Sequence, residues 1–256
     1  MSDIATKLTT IAENQQRVYD AGYTAGQSAG GDTDAAYQRG VEAERQAFWD
    51  AFQWKGTRTS YAMYVFGHGG FSFDNFYPKY DIKPTGSCQY LFYNWRSAED
   101  SKQGLNATGN LAQRLNECGV KLDVSNCERL TGLFGYGYFT ELPPINVTGL
   151  IYDSTNLFTY NGRLVTIGTI TTKESVTYGG WFDSCGALEN ITFDGAIGQN
   201  IDLSSSTKLT HDSLMSIINH LAEVSSTRTL TLGATNLAKL TDAEKAIATE
   251  KGWSLA

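Results

Sequence analysis

The amino-acid sequence predicts an α+β protein in which an N-terminal coiled-coil helix precedes an irregular leucine-rich-repeat solenoid with short strands and a few helices. Three observations predict this fold class. Apolar residues near the N-terminus alternate three and four positions apart, which is the rhythm of a coiled coil. The charged fraction is only 18%, and the abundance of Gly, Thr, Ser and Asn favours strands and turns over a helical bundle. Leucines then recur with a period in the low twenties.

The first predicted element is an oligomerising helix with a Gly-rich hinge, over residues 1–30. A helix this short needs partner chains to cover its apolar stripe, so we expect a homo-oligomer. Among the possible oligomers a homotrimer is favoured. The alternative is a helix packed on its own domain. The predicted oligomerisation residues are Ile4, Leu8, Ile11, Gln15 and Val18.

Residues 31–56 are predicted to form a second helix or linker, capped near residues 32–34. Residues 57–119 are rich in aromatic side chains and form either a separate adaptor domain or the cap of the solenoid. Within this segment we expect short strands and one helix that has Thr108 as its N-cap and ends at Gly119. The expected strands lie at residues 61–66, 80–82 and 90–93.

The repeat domain is predicted to span residues 120–256. Each unit of about 23 residues leaves an apolar face that only its neighbour can cover, so successive units must stack. The alternative is an ordinary α+β domain with evenly spaced strands. The predicted core residues share an L-x-x-I spacing or continue its period: Leu142, Ile145, Leu164, Ile167, Leu188, Ile191, Leu230 and Leu232.

Local signals predict the remaining elements of this domain. Alternating apolar residues predict strands at 120–124, 229–232 and 253–255, and helical spacing predicts a helix over 211–224. A capping box at Thr241 and Glu244 begins the last helix, and Gly252 ends it.

The segment WFDSCGALENITF, residues 181–193, resembles the repeat unit of BspA-like leucine-rich-repeat proteins, "aromatic-x-x-C-x-x-L-x-x-I-x-I". Residues 126–133 and 161–167 match that unit less fully. The wider sequence resembles leucine-rich-repeat proteins of gut bacteriophages and prophages. The segments that carry this second resemblance are IATKLTTIAENQQRVYDAG, AFWDAFQ, YPKYDIKP and LAKLTDAEKAIATEKGW.

The resemblance implies a bacteriophage virion structural protein, a tail or fibre component involved in host attachment through receptor binding. It implies other virion proteins as partners of the N-terminal part, a host cell-surface protein or glycan as receptor, and assembly of the virion in the host cytoplasm. No signal peptide and no membrane-spanning stretch are recognisable, so membrane insertion is not expected. The alternative is a bacterial surface adhesin or repeat scaffold.

Composition and motifs disfavour other chemistries. A net charge of −7 without a Lys/Arg cluster argues against a nucleic-acid partner. The four cysteines form no C-x-x-C pair, which disfavours zinc, and we expect them in the core although disulfides stay possible. His68 lies in a Gly-rich turn without a G-x-S-x-G partner motif. We therefore expect a protein that is not an enzyme, with no catalytic or metal-binding residues and no cofactor.

An envelope-glycan depolymerase is the least favoured alternative. It would need two carboxylates facing each other across a groove. The acidic residues of the repeats, Asp183, Asp194 and Asp202, are expected to be loop residues instead.

Binding is better supported than catalysis. Tyr and Trp combine a broad contact area with a polar tip, which suits the recognition of sugars or proteins. We expect no more than a third of these aromatic side chains to be exposed. The candidate receptor contacts near predicted turns are Tyr90, Tyr93, Trp95, Tyr136, Tyr138 and Tyr160.

Overall fold

The computed structural model describes Pro78, residues 81–95 and residues 109–256, all within the compact unit Gly56–Ala256. Several predictions lie outside the described residues: the helix of residues 1–30, the helix or linker of residues 31–56, the strand at 61–66 and the turn around His68. The predicted oligomerisation residues Ile4, Leu8, Ile11, Gln15 and Val18 lie there as well.

The described chain contains eleven short strands and four helices. The helices are α1 (Leu111–Glu117), α2 (His211–Asn219), α3 (Gly233–Leu237) and α4 (Asp242–Glu250). The strands are β1 (Gly86–Ser87), β2 (Gly109–Asn110), β3 (Cys127–Arg129), β4 (Phe139–Leu142), β5 (Ile145–Asn146), β6 (Thr166–Ile167), β7 (Ile170–Thr171), β8 (Phe193–Asp194), β9 (Ile201–Asp202), β10 (Arg228–Thr231) and β11 (Trp253–Leu255).

These strands form four small sheets, and the pairing is parallel throughout. The strand orders are β1-β3, β2-β4-β6, β5-β7-β8 and β11-β10-β9. In the middle of the chain the paired residues are separated by about one predicted period, as in Ile145 with Ile170 and Ile170 with Phe193. Each segment therefore lies beside the segment that follows it one period later.

All eight predicted core residues are buried: Leu142, Ile145, Leu164, Ile167, Leu188, Ile191, Leu230 and Leu232. The L-x-x-I frame places Leu142 beside Leu164. The observed strand pairing is shifted by three residues from this frame, because Leu142 pairs with Ile167. The residue after Leu164 donates its N–H to the carbonyl oxygen of Thr140, which brings Leu164 next to Phe139. Phe139, Leu142 and Ile145 are all apolar and three apart, so sequence spacing alone fits either frame.

Four phenylalanine rings stack through the core and form the phenylalanine column: Phe92, Phe134, Phe158 and Phe182. Ring-centroid distances between successive members are 5.5, 5.9 and 5.6 Å, with interplanar angles of 19°, 5° and 24°. All four rings are fully buried, so one continuous stack ties successive segments together.

The helix ends follow the local capping signals in most places. The capping box between Thr241 and Glu244 is confirmed, and Gly252 has a φ of +88° just after α4. Helix α1 is capped by the Asn110 side chain, which accepts from the N–H of Gln113, so the prediction of Thr108 as its N-cap is wrong.

Three predicted elements are corrected by the structure. Helix α2 ends at Asn219 rather than 224, and Leu221 instead forms a parallel bridge with Ile197. The strand predicted at 120–124 is reduced to one bridge, between Ile82 and Leu122. Residues 90–93 form a turn rather than a strand, because the backbone of Tyr90 is left-handed. Among the helices of the described chain, none is long and apolar enough to cross a membrane.

Candidate functional site

Four stacked turns each place two residues in the left-handed region of the backbone, four positions apart. The first column has φ values of 56°, 63°, 59° and 66° at Tyr90, Gly132, Asn156 and Gly180. The second column has φ values of 53°, 58°, 57° and 58° at Asn94, Tyr136, Tyr160 and Ser184. Glycine and asparagine are the usual occupants of this region, whereas a bulky tyrosine there is an outlier. The columns therefore hold three tyrosines in a conformation that their side chains disfavour.

Backbone hydrogen bonds hold these turns in place. The N–H of Tyr136 donates to the carbonyl oxygen of Thr159 at 2.7 Å, and the N–H of Tyr160 donates to that of Asp183 at 2.8 Å. Each of these tyrosines follows a member of the phenylalanine column by two residues: Phe134 precedes Tyr136, and Phe158 precedes Tyr160. The buried ring anchors the turn from inside, and the tyrosine two residues later points its ring outward.

The outward rings form a continuous surface feature, the tyrosine row, which consists of Tyr90, Tyr93, Tyr136 and Tyr160. Centroid distances along the row are 5.1, 5.2 and 4.5 Å. Tyr136 and Tyr160 are stacked with an interplanar angle of 26°. Their exposed fractions are 41% and 54%, high for such large side chains. The row thus presents aromatic surface together with phenolic hydroxyl groups.

The row ends at Tyr160 because Ser184, the next residue of that column, carries no ring. Polar groups lie close to this end. The side-chain oxygens Asn156 Oδ1 and Asp183 Oδ2 both approach the space that a Cβ atom on Gly180 would occupy. Asp183 and Ser184 are exposed. An aromatic ring beside a carboxylate and an amide oxygen can contact an apolar face and hydrogen-bonding groups of the same ligand.

The six predicted receptor contacts divide into three groups. Tyr90, Tyr93, Tyr136 and Tyr160 come together in the tyrosine row, with Tyr90 and Tyr93 half-buried. Trp95 is only 1% exposed, so its prediction as a receptor contact is wrong: its ring packs between core rings, 5.3 Å from Phe92 and 5.6 Å from Phe139. Tyr138 is half-buried, with the Arg163 guanidinium 5.1 Å from its ring centroid.

A second exposed apolar pair was not predicted from the sequence. Ile151 and Tyr152 are 64% and 53% exposed, and they border a shallow cavity of about 250 Å³ that Lys173 and Val176 also line. The guanidinium of Arg129 lies 4.9 Å from the Tyr152 ring centroid. No periodic signal marks these two residues, since they occur once, in the turn after Leu150.

The acidic side chains considered for glycan cleavage, Asp183, Asp194 and Asp202, are exposed. Asp183 lies in a turn, but Asp194 and Asp202 are the last residues of β8 and β9, so the prediction that they are loop residues is wrong for these two. Asp202 accepts hydrogen bonds from the backbone N–H and the hydroxyl of Ser204, at 2.9 and 2.7 Å, which is a turn-stabilising arrangement. Within the described residues, no group of three or more His, Cys, Asp or Glu side chains is placed to hold a metal ion.

Where the pKa of a carboxyl group is clearly shifted, a local structural hydrogen bond explains the direction. Side-chain hydrogen bonding with Ser125 is the largest influence on Asp123 and lowers its pKa. Hydrogen bonds from the Thr241 backbone and hydroxyl, with a smaller contribution from His211, lower the pKa of Glu244. The imidazole Nε2 of His211 lies 2.8 Å from Glu244 Oε1. Both carboxylates therefore stabilise local structure, a turn in one case and a helix cap in the other.

Comparisons of the chain with protein-family models, with curated proteins and with solved structures found no match.

Proposed function

We propose that the chain is a bacteriophage virion structural protein, a tail or fibre component, whose tyrosine row contacts the host cell surface during attachment. The observation that carries the attachment role is the exposed row itself, with Tyr136 and Tyr160 held in left-handed backbone. Its placement on a virion rests on the sequence resemblance to gut-phage leucine-rich-repeat proteins.

The chemistry of the row suits recognition. Tyrosine offers a large contact area, a hydroxyl group and few rotatable bonds, so little conformational entropy is lost on binding. The row is supported from below by the phenylalanine column, and a rigid scaffold keeps a binding surface in one geometry. Backbone strain at exposed residues is typical of functional sites.

The leucine-rich-repeat solenoid remains the proposed architecture. It is supported by parallel pairing between segments about one period apart and by the burial of all eight predicted core residues. Asn161 and Cys185 give further support, because each donates from a buried side chain to the Phe158 carbonyl oxygen, at 2.7 and 3.2 Å. Asn or Cys at such a position is a feature of leucine-rich repeats.

A homotrimer, with the N-terminal helix as its proposed oligomerisation element, would present three tyrosine rows. Linked copies turn weak individual contacts into a larger overall avidity, provided the copies reach the surface together. The receptor would then be a repetitive protein or glycan on the host envelope.

The virion assignment is tested by locating the chain. Particles induced from a bacterium that carries the gene are treated with nuclease, purified on a density gradient and digested for mass spectrometry. We expect peptides of this chain to co-sediment with DNA-containing particles, and antibodies against it to label the tail. Recovery only from the bacterial envelope would contradict the proposal and favour a surface adhesin.

The attachment role is tested by competition. Host cells incubated with an excess of the purified chain should adsorb the phage more slowly. The double variant Tyr136→Ser/Tyr160→Ser should lose this competition, and serine already occupies the same backbone conformation at Ser184. Tyr152→Ser, which removes an exposed tyrosine outside the row, is the matched control and should compete like the wild type. Equal competition by all three proteins would exclude the tyrosine row as the contact surface, and release of soluble sugars from the envelope would favour the depolymerase alternative.

A further inference from the structure

Two cysteine side chains from neighbouring segments meet in the core. The Sγ atoms of Cys88 and Cys127 lie 2.7 Å apart, and both residues are buried. Cys127 lies in β3, and Cys88 directly follows β1, its parallel neighbour. The N–H of Cys88 donates to the carbonyl oxygen of Arg129 at 2.8 Å, which fixes the backbone on that side. Both residues are free thiols in the structure.

The remaining two cysteines are placed differently. Cys185 is buried with its Sγ atom 3.2 Å from the Phe158 carbonyl oxygen, and Cys118 is half-exposed just after α1. Only the Cys88 and Cys127 sulfur atoms, among the thiols of the described chain, are in hydrogen-bond contact with each other. Because the two sulfur atoms already lie 2.7 Å apart, a small shift of the side chains brings them to the length of a covalent S–S bond.

We propose that Cys88 and Cys127 form a disulfide that covalently joins the segment of residues 81–95 to the next segment of the stack once the chain leaves a reducing compartment. This inference does not depend on the proposed function. It gives the pair a chemical role beyond that of two small apolar side chains.

The reaction balances by exchange with a small-molecule disulfide such as oxidised glutathione. Cys88 is the first nucleophile because it retains slight exposure, 7% against 0% for Cys127. Its thiolate attacks one sulfur of the oxidant, forms a mixed disulfide and releases one small thiolate, which takes up a proton. The Cys127 thiolate then attacks the Cys88 sulfur, the protein disulfide forms, and the second small thiol leaves. Two protein thiols are oxidised and one small disulfide is reduced to two thiols.

Burial makes this reaction slow in the closed protein. The hydrogen bond with Cys88 and desolvation both raise the pKa of Cys127, so its reactive thiolate is scarce. Oxidation should therefore proceed mainly during brief local opening of the chain around Cys88.

The product would stabilise the fold by restricting the unfolded chain. The loop it closes runs from Cys88 to Cys127, and cross-linking a loop of this size is expected to raise the melting temperature by roughly 5–15 °C.

The test uses the full chain incubated with oxidised glutathione, denatured, alkylated and digested. We expect two of the four cysteines to escape alkylation, a linked peptide pair containing Cys88 and Cys127, and a melting temperature that rises and then falls back after dithiothreitol. Cys118→Ser is the matched control and should behave like the wild type. Cys88→Ser should form no such link and show no oxidant-dependent shift.

Three results would overturn the proposal: alkylation of all four cysteines after oxidation, a link that uses Cys118 or Cys185, or a linked protein with an unchanged melting temperature. If Cys127→Ser fails to fold, the peptide map of the wild-type chain and the Cys88→Ser variant still decide the question.

Discussion

Substitutions at Tyr160 separate backbone strain from the ring contacts of the tyrosine row. A non-glycine residue in the left-handed conformation costs roughly 1–2 kcal/mol. The stacked contact with Tyr136, at 4.5 Å, offsets part of this and contributes about 0.5–1.5 kcal/mol. A glycine would remove the strain, but its extra freedom in the unfolded chain costs about 0.5–1 kcal/mol. These three contributions are similar in size. The residue introduced at position 160 therefore decides how much the free energy of unfolding changes and in which direction.

Tyr160→Ala keeps the unfavourable φ of 57° and loses the ring, so we expect it to lower the free energy of unfolding by about 0.5–1.5 kcal/mol. Tyr160→Gly loses the ring and relieves the strain, so it should stay within about 1 kcal/mol of the wild type. Tyr160→Asn should fall between them, since Asn156 already occupies the same conformation at a φ of 59°. The expected order of stability is glycine, asparagine, alanine.

Equilibrium unfolding in urea measures this order, with tryptophan fluorescence as the probe. Tyr152 provides the control because it is similarly exposed, at 53%, and its φ is not positive. There alanine should be more stable than glycine, by about 0.5–1 kcal/mol. If Tyr160→Ala proved at least as stable as Tyr160→Gly, the left-handed assignment and the strain argument would both fail. All three Tyr160 variants should compete poorly for phage adsorption, whatever their stability.

Two further predictions concern the supports beneath the site and the end of the chain. Phe158→Ala should lower the free energy of unfolding by about 3–5 kcal/mol, because the ring is fully buried between two others. Phe158→Leu should lower it less. Equal losses for the two variants in urea unfolding would argue against the ring stack. Thr241→Ala should cost about 1 kcal/mol by removing the helix cap, whereas Thr249→Ala near the other end of the same helix should change little. Because the folded pKa of Glu244 is lowered, its contribution is present above the carboxyl group's usual pKa and is lost as the pH falls through the folded value. Thr241→Ala removes the hydroxyl donor to Glu244 but keeps the backbone N–H donor, so it should flatten the loss of stability on acidification only in part, and an unchanged pH profile would show that the hydroxyl does not lower this pKa.

Much of the core follows from the spacing of leucine and isoleucine, but its alignment does not. The residues Phe139, Leu142 and Ile145 lie three apart and are all buried. A repeat of about 24 residues can therefore be aligned on any of them with equal hydrophobic agreement. Backbone pairing distinguishes the alternatives, since Leu142 lies opposite Ile167 and Ile145 opposite Ile170. The period is encoded in the spacing of apolar residues, whereas the frame depends on hydrogen bonds between distant segments.

The tyrosine row has a sequence signal that is more specific than the position of aromatic residues near turns. Phe134-Gly-Tyr136 and Phe158-Thr-Tyr160 repeat the same spacing 24 residues apart, with the first ring inward and the second outward. Proximity to a turn predicts exposure for Trp95 as well, but the core surrounds its ring. Left-handed tyrosines could not be expected from propensity, which assigns such positions to glycine and asparagine.

The occupants of the second left-handed column show that the fold does not need tyrosine there. Asn94 and Ser184 adopt φ values of 53° and 58° in the same turn, with a small polar side chain in place of a ring. Tyr136 and Tyr160 together add about 2–4 kcal/mol of backbone strain, a large share of the roughly 5–15 kcal/mol that stabilises an ordinary domain. The phenylalanine column and the hydrogen bonds of the turns hold the strained backbone in place. The energy of ring stacking offsets only part of the strain energy. Stability therefore does not account for tyrosines at these positions, and the proposed role of the tyrosine row in presenting adjacent rings to a receptor would account for them.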